Sequence, residues 1–376
     1  MSFYEEWLVA RSREAEWPEP VAADVERVLA RMAQPGRREL SDFATLISPA
    51  AAAFLPEMCE LSRSLTRQRF GNTIGMYLPL YLSNHCANDC SYCGFSAKNR
   101  IARKVLSAAE VDLECRHITA MGFKSLLLVT GEHERMSGMA YFREVLPVIR
   151  PHVSYLMMEV QPLSVDDYRE LVGLGLDGVM VYQETYDQPL YQQHHLHGRK
   201  KDFRWRLETP DRLGEAGVDK IGLGALLGLG DWRRDSLMVA RHLQYLRSRY
   251  WKSRYSLSFP RLRPCAGGFQ PQSALSDRQL LQLICAYRLF DPEVELSLST
   301  REAPAFRDFL LQVGITTASA GSSTQPGGYA NRQPELEQFA VSDERSAEQF
   351  AEVIRRQGLD VVWQEASAVH WPGTAG

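Results

Sequence analysis

Short, nearly continuous apolar runs recur along this chain. In order they are "IGMYLPLYLS" (74–83), "KSLLLVT" (124–130), "VSYLMMEV" (153–160), "DGVMVYQ" (177–183), "KIGLGALLG" (220–228), "RYSLSF" (254–259), "VELSLST" (294–300) and "TTASAGS" (316–322). Runs of this length read as strands that are apolar on both faces, the pattern of a parallel sheet covered on its outside. Helix-like segments lie between them and carry start signals. "SAAE" (107–110), "SVDD" (164–167) and "SDRQ" (276–279) each place a serine three residues before an acid or amide, the capping-box pattern. "TPD" (209–211) sets a threonine cap before a proline, an apt first helical residue.

Eight repeats of strand then helix predict an α/β fold of the (β/α)8 TIM-type barrel class. No GxGxxG follows an early strand and no P-loop is present, which disfavours the open nucleotide-binding sheets. Residues 1–70 read as an N-terminal helical extension, 71–330 as the barrel and 331–376 as a C-terminal extension. That extension is more polar and has a helical stretch at 342–358.

Composition changes this picture little. An apolar fraction of 45% beside 24% charged residues is enough to bury a large core. Lys and Arg number 43 and Asp and Glu 46, a net charge of −3. That balance gives no electrostatic reason to expect nucleic acid or membrane as a partner. The first residues, "MSFYEEWLVARSREAEW", lack the apolar core of a signal peptide, and no apolar run nears the roughly 20 residues of a membrane span. The expectation is a soluble protein of the reducing cytoplasm.

Candidate chemistry centres on "NHCANDCSYCGFS" (84–96), directly after the first strand. In a barrel of this class the active site lies at the C-terminal strand ends. Cys86, Cys90 and Cys93 fall within eight positions, while Cys59, Cys115, Cys265 and Cys285 are scattered. Three thiolates on a short loop leave one iron of a [4Fe–4S] cluster without a protein ligand, and an open position marks a catalytic rather than a structural metal site. A zinc site with His85 or Cys115 as fourth ligand is the alternative. His194, His195 and His197 lack the HExxH arrangement and read as a hydrogen-bonded loop near the mouth.

CxxxCxxC with Tyr92 before the last cysteine resembles the radical S-adenosylmethionine superfamily. "YLSNHCANDCSYCGFSAKNRIARKVLS", "LVTGE", "EVQPL", "VYQETYD", "SFPRLRPC", "LSLSTRE" and "TQPGGYA" further resemble the 2-iminoacetate synthase family, the tyrosine lyases of bacterial thiamine biosynthesis. The resemblance runs from about residue 70 to 340. It implies cleavage of the L-tyrosine Cα–Cβ bond to 2-iminoacetate (dehydroglycine) and p-cresol, with one [4Fe–4S] cluster and S-adenosyl-L-methionine as cofactors. It also implies a low-potential electron donor, and thiazole synthase as the partner receiving dehydroglycine.

By that resemblance Cys86, Cys90 and Cys93 ligate the cluster and Tyr92 lies against the adenine. Thr130, Gly131 and Glu132 receive the cofactor's amino group, and Glu159, Gln183 and Glu184 lie near its ribose. Arg301 takes the tyrosine carboxylate, for which a guanidinium fork is well suited, with Ser299 and Ser322 as neighbouring donors. Arg261 and Arg263 in "FPRLRPC" also reach towards the mouth by sequence position. The glycines of "IGLGALLGL" suit either close approach of a flat ligand or relief of crowding in the barrel.

Related enzymes are the alternatives. The hydrogenase-maturing tyrosine lyase carries a second cysteine motif, whereas no cysteine follows Cys285 here. Biotin synthase needs a second cluster, and a tryptophan lyase shares much of the scaffold. A non-catalytic iron–sulfur module would not need the TGE, QET and TRE strand ends.

Overall fold

The computed structural model describes residues 2–13, 19–271 and 273–365. Residues 366–376, the end of the expected C-terminal extension, lie outside them. Eight parallel strands follow one another around a closed barrel: β1 (Thr73–Ser83), β2 (Ser125–Thr130), β3 (Tyr155–Glu159), β4 (Gly178–Met180), β5 (Lys220–Leu223), β6 (Arg254–Ser258), β7 (Glu295–Leu298) and β8 (Thr317–Ser319). Each pairs with the next, and β8 closes on β1 through Gly75–Thr317, Met76–Ala318 and Tyr77–Ser319. All eight expected strands are therefore present; from the third onwards the last residues of each run turn into the mouth loops.

Alternation explains the near-continuous apolar sequences. On β1, Leu78, Leu80 and Leu82 pack in the outer core beneath the helices, while Tyr77, Pro79 and Tyr81 line the lumen. Both faces are covered, so both are apolar. Gly222 on β5 and Gly224 just after it relieve crowding: a Cβ on Gly222 would meet Met180 Sδ at 2.0 Å, and one on Gly224 would meet the Ser258 carbonyl oxygen at 2.8 Å.

Ser107, Ser164 and Ser276 each cap a helix and accept from the backbone N–H three residues on. Thr209 differs from expectation. The preceding helix, Phe203–Leu207, is capped by Asp202 and runs almost directly into Thr209–Ala216, so Glu208 takes the cap position. The Thr209 hydroxyl instead donates back to the Trp205 carbonyl at 3.1 Å.

Helices Phe3–Arg13, Ala22–Met32, Leu40–Leu46 and Leu55–Phe70 precede the barrel. The first is tied to the mouth, since Trp7 Nε1 donates to the Tyr186 carbonyl at 3.2 Å. A ninth strand, β9 (Asp360–Val362), adds in parallel to the start of β1. Its three residues carry no sequence signal because a pairing so short depends on the edge it meets. No helix among the described residues is long and apolar enough to cross a membrane.

Candidate active site at the barrel mouth

The C-terminal strand ends open into a cavity. It is lined by Cys86, Cys90, Tyr92, Cys93, Thr130, Gly131, Glu132, Glu159, Glu184, Ser299, Arg301 and Ser322 among others. Of the expected site residues only Gln183 is absent from this lining. Tyr182 and Glu184 face the cavity, so the residue between them turns to the opposite side. There its amide stands 3.5 Å from the Phe203 carbonyl. Glu184 itself has φ of +70°, a left-handed conformation uncommon outside glycine.

The cysteine loop is held from three sides. Asp89 and Cys90 pair antiparallel with His197 and His195. Arg103 donates to the carbonyls of Asn84, Phe95, Ser96 and Asn99 at 2.6, 2.8, 2.7 and 3.2 Å, pinning both ends of the loop. Gly131 is the third support, because a Cβ there would meet the His85 carbonyl oxygen at 2.2 Å. Only glycine lets the end of β2 pass that closely.

The histidines are loop supports, as their sequence context suggests. His194 Nδ1 lies 2.7 Å from Ser91 Oγ, and His195 Nε2 lies 2.7 Å from the Tyr92 hydroxyl. His195 Nδ1 stands 2.6 Å from the Tyr191 carbonyl, which fixes the proton on Nδ1 and leaves Nε2 to accept from Tyr92. Burial pushes the His195 pKa down to about 2, so the ring is neutral.

Two cations that sequence reasoning missed complete the mouth. Lys200 Nζ bonds Glu184 Oε1 at 2.7 Å, and Arg206 pairs with Glu132 at 2.9 Å. Asn88 donates to the other Glu132 oxygen at 2.8 Å. Burial alone would raise the Glu132 pKa, but Arg206 and Lys200 outweigh it and hold the carboxyl below its ordinary value. Glu159 is the converse: burial raises it to about 7 despite the pull of Arg301. Lys200 and Arg206 are two of five cations in "GRKKDFRWRLE", a run that equally suits an exposed helix face.

The arginines separate. Arg261 is engaged by Glu302, Asp277 and the Leu275 carbonyl, whereas Arg263 and Arg301 line the cavity. Arg301 lies 3.7 Å above the Phe339 ring, and among the described residues no carboxylate pairs with it. Thr130 Oγ1 and Ser322 Oγ are buried without a partner.

The outlying cysteines are less scattered than their sequence positions suggest. Cys265 Sγ lies 3.2 Å from the Tyr92 carbonyl and faces the cavity. Cys59 and Cys285 touch at 3.7 Å between two barrel-covering helices. Cys115 is fully buried in the outer core and is not among the residues that line the cavity with Cys86, Cys90 and Cys93. Among the described residues no three His, Cys, Asp or Glu side chains converge on a point that would hold a single metal ion. Cys86, Cys90 and Cys93 on one loop at the cavity are the donor type of a multi-iron cluster, whose thiolates bind separate corners.

Residues 80–239 match the radical SAM superfamily, and residues 258–360 match the biotin and thiamin synthesis associated domain. The chain is 55% identical to the 2-iminoacetate synthase of Salmonella typhimurium over 97% of both chains. It is 58% identical to that of Escherichia coli over 92% of this chain and 90% of the relative. The solved structure of HydG, a maturase of the [FeFe]-hydrogenase, superposes with a TM-score of 0.88 at 29% identity, covering 96% of this chain and 80% of that one. On this fold, this mouth and this identity, the chain belongs to the 2-iminoacetate synthase family of radical SAM lyases.

Proposed function

We propose that this chain cleaves the Cα–Cβ bond of L-tyrosine to 2-iminoacetate and p-cresol, supplying the thiazole moiety of thiamine in the cytoplasm. The observation that carries the reading is 55% identity with a 2-iminoacetate synthase over 97% of both chains. The thiol donor set at the mouth fits a [4Fe–4S] cluster, with Cys86, Cys90 and Cys93 as its holders. Bound there with S-adenosyl-L-methionine and given one electron by an external donor, the cluster would supply the radical chemistry that activates the substrate.

The protein's own residues bind, orient and shield. Tyr92, its hydroxyl tied to His195, offers a fixed aromatic face for adenine. Glu132 is held ionised by Arg206, and each of its oxygens keeps a free lone pair for an ammonium group. Thr130 Oγ1, buried without a partner beside it, adds a donor. Glu159 and Glu184 face the cofactor ribose, while Gln183 acts only through the loop it packs. Arg301, with Ser299 and Ser322, holds the tyrosine carboxylate, and Phe339 beneath the guanidinium keeps it flat and in place.

We retain 1–70, 71–330 and 331–376 as the division of the chain, and a low-potential electron donor and thiazole synthase as partners. Anaerobic reconstitution with dithionite, cofactor and tyrosine tests the whole reading: 5′-deoxyadenosine and p-cresol are expected, and their absence from iron-loaded protein overturns it. Arg301→Ala is expected to raise the tyrosine KM or to uncouple cofactor cleavage from p-cresol. Unchanged kinetics would remove Arg301 from the site.

A further inference from the structure

Beneath the mouth the lumen is two-sided. On the β2 to β4 side it is walled by Leu127, Val129, Met157 and Met180. On the other side a belt of hydroxyls crosses adjoining strands: Ser258 on β6, Ser297 on β7, Ser319 on β8 and Tyr77 on β1. Ser258 and Ser297 are register partners, as are Ser319 and Tyr77. Tyr182 reaches across and donates to Ser258 Oγ at 3.1 Å, and Ser297 Oγ donates to the Tyr77 hydroxyl at 3.2 Å.

This belt is the floor of the mouth cavity. Tyr77, Leu127, Met180, Tyr182, Ser258 and Ser297 also border a second cavity at the opposite end of the lumen. Ser297 lies on β7, and Ser299 and Arg301 follow it in the loop beyond the strand's end; all three border the mouth cavity. The belt therefore lies on the strands beneath the loop that carries Arg301.

We propose that Ser258 and Ser297 form the subsite that recognises the substrate's phenol oxygen and so selects tyrosine over phenylalanine. The proposal rests on the tyrosine-lyase reading and on Arg301 holding the carboxylate above. Ser258 already accepts from Tyr182, so its own proton is left to donate, and Ser297 keeps a lone pair to accept the phenol proton. Leu127 and Met180 flank the ring. A site that hydrogen-bonds a substrate hydroxyl discriminates strongly against the analogue lacking it, because its own polar groups are then left unpaired.

The test is equilibrium dialysis of L-tyrosine and L-phenylalanine against the cluster-loaded protein with S-adenosyl-L-methionine, in the absence of reductant. Wild-type protein is expected to prefer tyrosine by at least about tenfold, the worth of one neutral hydrogen bond. Parity overturns the proposal without any variant. Ser258→Ala and Ser297→Ala are each expected to cost about tenfold in tyrosine affinity and nothing in phenylalanine affinity, while Ser258→Thr keeps the preference. Wild-type preference in both alanine variants at full iron content overturns the subsite but leaves the lyase reading standing. Failure of wild-type protein to bind tyrosine at all overturns both.

Discussion

Arg206 stands 2.9 Å from Glu132 and 3.6 Å from Glu184, so one guanidinium from a short helix joins the ends of β2 and β4. It also donates to the Tyr182 carbonyl at 2.7 Å. The mouth is thus closed by charge as well as by packing. Removing the cation would leave two carboxylates poorly compensated in a site that is mostly shielded from water.

Arg206→Met is expected to destabilise the fold by about 3–5 kcal/mol, the usual cost of breaking a buried pair from one side. Arg206→Lys is expected to recover only part of this, because a point charge does not reproduce a planar fork. Denaturant melts of the three proteins decide the matter. An unchanged midpoint in the methionine variant would mean that the pairing contributes nothing.

Gly131→Ala tests the close passage of β2 beneath the cysteine loop. With a Cβ placed 2.2 Å from the His85 carbonyl oxygen, the loop must shift, at a cost on the order of 1–3 kcal/mol. Iron bound after anaerobic reconstitution is expected to fall while the far-ultraviolet circular dichroism stays native. Full iron content in the variant would contradict the geometry.

Arg103 contacts four carbonyls of the same loop. Truncation to methionine leaves several of them without a donor and is expected to cost on the order of 3 kcal/mol. Faster loss of iron to a chelator, relative to wild type, is the direct readout. Equal chelation rates would show that the loop holds its shape without this residue.

Asp235 gives a pH signature. Its carboxylate accepts from Thr185 Oγ1 at 3.0 Å and Tyr186 N at 2.7 Å, holding the loop just after Glu184. Burial raises its pKa to about 7 from the ordinary 3.8. The folded chain therefore binds this proton more tightly than the unfolded chain. The stabilisation is full below about pH 3.8 and is lost as pH rises to about 7, by up to roughly 4 kcal/mol. In Asp235→Asn that contribution is absent. The variant's stability relative to wild type is expected to improve as pH is raised from 4 to 7.5, and a pH-independent difference would refute the assignment.

Signals confined to neighbouring residues are legible in the amino-acid order alone. The spacing of Cys86, Cys90 and Cys93, the capping serines at 107, 164 and 276 and the eight apolar runs depend on chain stiffness and local hydrogen bonding. Strands apolar on both faces must be covered on both, which an open or a closed parallel sheet satisfies; closure itself is the pairing of β8 with β1. Which side of the strand Glu184 and Gln183 face was decided by tertiary packing, since a shift of one residue exchanges lumen for outer core. Arg103, Lys200, Arg206 and Cys265 acquire their places from partners 4 to 173 positions away. An isolated cation or thiol in the sequence looks the same whether it ends in solvent or against a buried carboxylate or a loop carbonyl. Only the folded chain supplies the low dielectric and the opposing group that make the difference.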